Sequence, residues 1–97
     1  FIHAGVMATM ADHTAGYAAF TTVSEGFQIL TIEFKINFLR PAQGDLLVCR
    51  SRVIREGSRI IISESEVYDI RENKEVLAAK AMVTLMAVSR DKLLSKR

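Results

Sequence analysis

The chain has 97 residues, of which 49% are hydrophobic and 25% are charged, a balance that fits one compact domain and excludes a disordered segment. Thirteen basic residues against eleven acidic residues give a net charge of +2. That excess is too small to indicate a nucleic-acid-binding protein. Because a domain of this size buries only a moderate core, we expect it to associate with a second copy.

The location of the protein is constrained by its single cysteine, Cys49, and by the absence of a signal-peptide pattern. One cysteine cannot form an internal disulfide, so we expect a reducing, cytoplasmic environment. The apolar opening stretch is shorter than the ~20 residues that span a bilayer, and it contains Asp12 and His13, so we expect no membrane span. Residues 1–97 form one predicted domain, and the lack of an initiator methionine suggests that an upstream segment is missing.

A helix is the first predicted element. Residues 5–20 contain no proline, are rich in alanine and methionine, and are apolar on every side. This composition is typical of a helix that is buried all round rather than an amphipathic surface helix.

The hydrophobic period then changes to two. Apolar residues alternate with polar ones through "QILTIEFKINFL", which predicts a strand with one buried face. The apolar row consists of Leu30, Ile32, Phe34, Ile36 and Phe38. The strand is expected to end at "RPAQGD", where Pro41 lacks a backbone donor and Gly44 permits a turn.

Three further strands are predicted in "DLLVCRSRVIRE", "RIIISESEVYDI" and "VLAAKAMVTLMAV". Short polar turns, "GS" and "RENKE", separate them, so consecutive strands are expected to be antiparallel neighbours. Each strand can extend to roughly 40 Å, whereas the helix is only about 24 Å long. We therefore predict an α+β fold in which a long, curved antiparallel sheet wraps around one central buried helix.

Three segments together resemble a known family: "HAG" at residues 3–5, "ATMADHTAGYAA" at residues 8–19 and "TIEFKINFLRPAQGD" at residues 31–45. The chain is similar over its whole length to hotdog-fold acyl-CoA thioesterases, in the phenylacetyl-CoA-thioesterase-like branch. The resemblance implies a hotdog fold, thioester hydrolysis of an acyl-CoA, a site shared between subunits, and dimers that pair into tetramers. It implies no cofactor, since coenzyme A belongs to the substrate.

The resemblance also assigns the site residues. Asp12, nine residues after His3, matches the catalytic carboxylate, and the backbone N–H groups of Ala4 and Gly5 match the oxyanion donors at the helix start. Thr31 matches a hydroxyl residue that holds the water or the aspartate, although a strand threonine is also common for its β propensity alone. His3 is expected to fix the turn by hydrogen bonding. The family's first glycine is Ala4 here, which preserves the N–H unless the position needs a positive φ.

Asp12 is unusual on local grounds as well. Its helical neighbours Ala8, Thr9, Ala15 and Gly16 provide no cation, and an unpaired buried carboxylate is costly. A structural alternative is that Asp12 pairs with a residue of the sheet or with backbone donors. The first turn of the helix likewise has N–H groups without an internal partner, which suit a carbonyl oxygen that acquires charge, or simply form an ordinary tight helix entry.

Geometry favours a dimer. Eight residues separate Ala4 from Asp12, about 12 Å along a helix, whereas a base and an oxyanion donor must both lie roughly 3 Å from the reacting group. One helix cannot supply both, but a two-fold dimer can place Asp12 of one subunit beside the Ala4 turn of the other. The sequence therefore predicts a homodimer, and the family's assembly points to a homotetramer.

Other interpretations stay open. A non-catalytic protein that binds acyl-CoA is the main alternative, and a hydratase ranks lower because the matched position is an aspartate rather than a histidine. His13 is expected to be structural or interfacial, Cys49 to be a small core residue, and the spacing of histidines and cysteine indicates no metal site. Four arginines could bind coenzyme A phosphates but more often form a solvated sheet face: Arg50, Arg52, Arg55 and Arg59.

Overall fold

The computed structural model describes residues 3–43 and 46–91 of the chain. The elements in chain order are α1 (His3–Phe20), β1 (Phe27–Phe38), β2 (Leu46–Glu56), β3 (Ile60–Arg71) and β4 (Lys74–Ser89). The strands form one antiparallel sheet in the order β1-β4-β3-β2. The predicted pairing of the last three strands is confirmed. β1 lies beside β4, so the chain passes from one edge of the sheet to the other between β1 and β2.

The two hairpins of the sheet have turns that match their sequence. Glu72 and Asn73 adopt φ values of 49° and 67° between β3 and β4, as a tight turn matching the twist of the strands requires. Between β2 and β3, the Gly57 N–H donates to the Ile60 carbonyl oxygen at 2.9 Å. A Cβ at Gly57 would lie 2.8 Å from that oxygen, so the turn depends on glycine.

The helix packs on the sheet through one line of buried residues, most of them alanine. Met7, Ala11, Ala15 and Ala19 recur every four residues and are at most 2% exposed. They meet the buried row of β4 and β3, which includes Ile61, Val67, Ala81, Val83 and Leu85. Alanines at these positions let the helix approach the sheet closely.

The prediction that the helix is buried on all sides is wrong for a single chain. Val6, Tyr17 and Phe20 are 50%, 75% and 56% exposed. The four strands cover only one side of α1, and the opposite side, although apolar, has no cover from the described residues of the same chain.

A β-bulge interrupts the first strand. Thr31 is paired with Leu85 and Glu33 with Thr84, so Ile32 is an extra residue with no partner of its own. A bulge of this kind reverses the alternation of side chains between the two faces of the sheet.

The prediction that one alternating row of apolar residues in this strand faces the core is therefore wrong. Phe34 and Ile36 pack against the core, whereas Leu30 and Ile32 are 44% and 54% exposed. Before the bulge, the odd-numbered residues of β1 face the helix. Thr31 therefore lies on the same face of the sheet as the buried Leu85 of β4. The bulge thus places a threonine and, three residues later, a phenylalanine on the same side of the sheet.

Candidate active site

Asp12 and Thr31 meet between the helix and the first strand. The Thr31 hydroxyl Oγ1 donates a hydrogen bond of 2.9 Å to the Asp12 carboxylate Oδ1. The bulge in β1 turns Thr31 toward α1, and the Ser65 hydroxyl donates to the Ala11 carbonyl oxygen at 2.7 Å, which anchors the helix one residue before Asp12. The expected contact between the hydroxyl and the aspartate is present. The same contact also agrees with the structural alternative, in which Asp12 pairs with a residue of the sheet.

The Asp12 cleft opens beside this pair and has a volume of about 470 Å³. Asp12, Gly16 and Phe20 follow one another along α1 at four-residue spacing, and a Cβ at Gly16 would meet nothing within 4 Å. The cleft is lined by Asp12, His13, Gly16, Tyr17, Phe20, Phe27, Gln28, Ile29, Thr31 and Arg90. A carboxylate thus sits in a mainly apolar and aromatic groove, which suits part of an organic ester or thioester.

His13 and Arg90 add polar groups to this cleft. His13 is exposed on the helix and lines the same groove as Asp12, so it is not part of the core. Within the described ranges, the Arg90 guanidinium has no side-chain hydrogen bond or ion pair, and its backbone N–H donates to the Gly26 carbonyl oxygen at 2.9 Å.

The helix start carries a second, smaller cleft. The Ala4 cleft has a volume of about 340 Å³ and is lined by Ala4, Met7, Phe38, Leu39, Arg40, Pro41 and Ala42. Because the helix begins at His3, the first N–H groups, including those of Ala4 and Gly5, have no acceptor within the helix. The His3 side chain lies outside the described part of the structure, so its expected role stays a prediction.

The alanine at position 4 fits its place in the helix. Among the described residues other than glycine, only Glu72 and Asn73 have a positive φ. Ala4 therefore adopts an ordinary backbone conformation, and the replacement of the family's glycine leaves the N–H donor available without strain.

A single chain does not bring the Asp12 carboxylate together with the N–H groups at the helix start. Ala4 and Asp12 lie on the same uninterrupted helix, with about 12 Å of rise between them. The Ala4 cleft and the Asp12 cleft share no lining residue. A complete site with both a carboxylate and oxyanion donors would need a second copy of the chain.

Two of the candidate phosphate-binding arginines are engaged elsewhere. Arg50 is paired with Glu75 through two hydrogen bonds and stacks over the Tyr68 ring at 5.0 Å, while Arg52 pairs with Glu64 at 3.2 Å. The hydrogen bonds from Arg50 lower the pKa of the Glu75 carboxyl. These contacts match the interpretation of a charged sheet face.

The other two, Arg55 and Arg59, line a cleft of about 430 Å³ at the β2–β3 turn, a cleft that shares no lining residue with the Asp12 cleft. Cys49 is half-buried against the core. In the described part of the chain, no three histidine, cysteine or acidic side chains are grouped as a metal site. No helix within 3–43 or 46–91 is long and apolar enough to cross a membrane.

Sequence reasoning missed much of the cleft lining. Tyr17 and Phe20 follow His13 and Asp12 at helical spacing, so a helical projection from Asp12 would have found them. Phe27 begins β1 and Arg90 follows the last residue of β4, and the two are adjacent only because those strands pair. No local signal in the sequence indicates that pairing.

Comparisons with known proteins agree with this fold. The sequence profile of a family described as the thioesterase superfamily matches residues 1–76. A Saccharolobus solfataricus protein named as a candidate esterase is 36% identical over 85 residues, which are 86% of this chain and 53% of that protein. The chain spans about half the length of the curated relatives that it matches.

Solved structures give the same result. A thioesterase family protein from Silicibacter pomeroyi superimposes with a TM-score of 0.87 at 38% identity, over 90% of this chain and 64% of that one. A Streptococcus mutans protein crystallised with bound acetyl-CoA superimposes with a TM-score of 0.75 at 27% identity, over 92% of this chain and 68% of that one. With helix α1 packed against a four-stranded antiparallel sheet, this chain belongs to the thioesterase superfamily and has the hotdog fold.

Proposed function

We propose that this domain hydrolyses an acyl-CoA thioester to a free acid and coenzyme A. The observation that carries the proposal is the Asp12 carboxylate, held by Thr31 at 2.9 Å beside an open cleft of about 470 Å³. Membership of the thioesterase superfamily and the similar protein that binds acetyl-CoA support the same substrate class.

In the proposed reaction, Asp12 acts on the carbonyl carbon of the thioester. As a general base it takes a proton from water while the water oxygen forms the new C–O bond. As a nucleophile it forms an anhydride that water then hydrolyses. In both routes the C–S bond breaks and the electron pair leaves with sulfur. A thiol is acidic enough to leave as thiolate, so no strong general acid is required.

The oxyanion donors in this proposal are the N–H groups of Ala4 and Gly5 in a second copy of the chain. They lie at the positive end of the α1 dipole, where negative charge on the carbonyl oxygen is stabilised. The distance of about 12 Å between Ala4 and Asp12 in one helix supports a site built across a homodimer. The uncovered apolar side of α1, which includes Val6, Tyr17 and Phe20, gives such a partner a surface to bury.

The proposal is tested by measuring free-thiol release from aromatic and aliphatic acyl-CoAs by the full-length protein and by Asp12→Asn. We expect turnover in the wild type and its loss in a variant that remains folded and dimeric. Glu33→Gln is the matched control, because Glu33 is an exposed carboxylate on β1 that lines neither the Asp12 cleft nor the Ala4 cleft. Equal turnover in Asp12→Asn would mean that Asp12 has only a structural role.

The same assay separates the main alternative, a non-catalytic protein that binds acyl-CoA. That protein would show no thiol release in the wild type, while calorimetry would detect acyl-CoA binding that Asp12→Asn leaves unchanged. Pairing of dimers into a tetramer is part of the proposal and is measured by sedimentation of the same preparations.

A further inference from the structure

Asp69 is a buried carboxylate that the proposed reaction does not use. It is 0% exposed and lies near the end of β3, on the same face of the sheet as the buried Val67. Its Oδ2 accepts a hydrogen bond of 2.8 Å from the Gln43 backbone N–H and one of 2.7 Å from Arg71 Nε. A buried carboxylate with charged and backbone donors holds them in a fixed geometry.

Arg71 extends this contact to the loop after β1. The Arg71 Nε donates to Asp69, and the Arg71 Nη2 donates to the Pro41 carbonyl oxygen at 2.7 Å. Residues 41 and 43 are thus both tied to the Asp69–Arg71 pair, one through its carbonyl oxygen and the other through its N–H.

The start of the loop is tied to β4. The N–H groups of Leu39 and Arg40 donate to the Ala78 carbonyl oxygen at 2.8 and 3.2 Å, and the Arg40 guanidinium donates to the Leu77 carbonyl oxygen at 3.0 Å. The Ala78 carbonyl oxygen can accept these hydrogen bonds because the pairing of β3 with β4 shifts by one residue at Ala78. Residues 39–43, which we call the clamp loop, are therefore fixed from two strands.

The clamp loop forms one wall of the Ala4 cleft. Leu39, Arg40, Pro41 and Ala42 line the cleft on one side, and Ala4 and Met7 line it on the other. Apart from Arg40, which is bound to Leu77, this lining is apolar. A group held there lies next to the N–H donors of the helix start.

We propose that Asp69 and Arg71 are positioning residues that fix the clamp loop as the wall against which the acyl group of the substrate lies. The proposal rests on the proposed function, because the Ala4 turn must hold the thioester carbonyl. The acyl group then extends into the apolar Ala4 cleft of one subunit, and the coenzyme A part lies on the side of the Asp12 cleft of the other subunit. Neither residue contacts the reacting atoms.

The expected signature is a change in acyl selectivity. An acyl group that reaches the wall is positioned by it, and a misplacement of about 1 Å costs about 10²-fold in rate. An acetyl group has only a methyl group beyond its carbonyl, so its turnover should depend less on the clamp loop than that of a longer acyl group. A purely structural role of Asp69 would instead lower the turnover of every substrate by the same factor.

The experiment compares kcat and KM for octanoyl-CoA and acetyl-CoA in the full-length wild type, Asp69→Asn and Arg71→Gln, below the melting temperature of each. Both variants are expected to lower the octanoyl-to-acetyl ratio of kcat/KM by about 10-fold to 100-fold, mainly through kcat. Glu66→Gln is the matched control. It makes the same change of carboxylate to amide on β3, but Glu66 accepts from Tyr68 at 3.0 Å and does not contact the clamp loop. Its ratio should equal that of the wild type.

Arg71→Lys decides the question if Asp69→Asn or Arg71→Gln does not fold, because lysine keeps a positive charge beside the buried Asp69 carboxylate but loses the guanidinium that binds Asp69 and the Pro41 carbonyl oxygen together. An unchanged ratio in a folded Arg71→Lys protein would overturn the proposal, as would an equal loss for both substrates. Wild-type protein that releases no thiol would overturn the proposed function and this inference together. Wild-type turnover with an unchanged ratio would overturn the inference alone.

Discussion

Replacement of Thr31 by valine tests whether the hydrogen bond to Asp12 supports catalysis. Valine has nearly the same shape as threonine and keeps the β propensity of the strand, so the change removes only the hydroxyl that donates to Asp12 at 2.9 Å. A hydrogen bond to a charged group contributes about 1.5–3 kcal/mol.

The expected effect lies at the lower end of that range. Thr31 is exposed in the single chain, so water can replace the lost donor in part. A loss of about 1.4 kcal/mol of transition-state stabilisation corresponds to about a tenfold fall in kcat. The free energy of unfolding should fall by less than about 1 kcal/mol, because the carboxylate stays solvated.

The assay is thiol release under saturating acyl-CoA, with Thr84→Val as the matched control. Thr84 lies on β4 opposite Glu33 and Ile62, and it lines neither the Asp12 cleft nor the Ala4 cleft. Its replacement should leave kcat unchanged. If Thr31→Val keeps wild-type kcat as well, the hydroxyl does not orient the carboxylate, and the reasoning from this contact is wrong.

Three further predictions concern the scaffold. Leu85→Ala removes a side chain that is 0% exposed, so the free energy of unfolding in urea should fall by about 3 kcal/mol, and a loss below about 1 kcal/mol would contradict the described core. Ser65→Ala removes the donor to the Ala11 carbonyl oxygen and should cost about 1 kcal/mol in the same experiment, whereas no loss would mean that this contact does not hold the helix. Arg50 lowers the folded-state pKa of Glu75, so the pair stabilises the fold above the unfolded-state pKa and loses this contribution as the pH falls through the folded value. Glu75→Gln should therefore be less stable than the wild type near neutral pH and equally stable in acid, where the wild-type carboxyl is also uncharged, and a difference that persists in acid would refute this assignment.

Much of the fold is predictable because each element has a clear period. The helix predicted over residues 5–20 is observed at His3–Phe20, and the strand predicted over 28–39 is observed at Phe27–Phe38. The short polar turns predict that the last three strands are neighbours in sequence order, and the structure confirms this. The position of β1 beside β4 follows from long-range packing, which no local pattern encodes.

The candidate site is only partly predictable for the same reason. The contact between Thr31 and Asp12 was expected from the family resemblance, but the bulge at Ile32 that turns Thr31 toward the helix was not, since one extra residue leaves the alternation of the sequence unchanged. The contacts of Asp69 are also not predictable from the local sequence. Its parity with Val67 places it on the buried face, yet its partner Gln43 is distant in sequence.

In the proposed dimer, each site combines Asp12 of one subunit with the helix start of its partner, and mixed dimers test this arrangement most directly. Ala4→Pro removes one oxyanion donor, and proline is tolerated in the first helical turn. Alone, this variant should lose about 10²-fold to 10³-fold in kcat, and Asp12→Asn should be inactive.

In a mixed dimer of these two variants, one site receives both changes and the other receives neither. Random reassociation in equal amounts makes half of the dimers mixed, so the mixture should recover about a quarter of wild-type activity. The measurement is thiol release after the two variants are unfolded together and refolded, compared with each variant refolded alone. Recovery of about a quarter is the result that the shared site predicts. A mixture no more active than the average of the separate variants, although mixed dimers form, would contradict it.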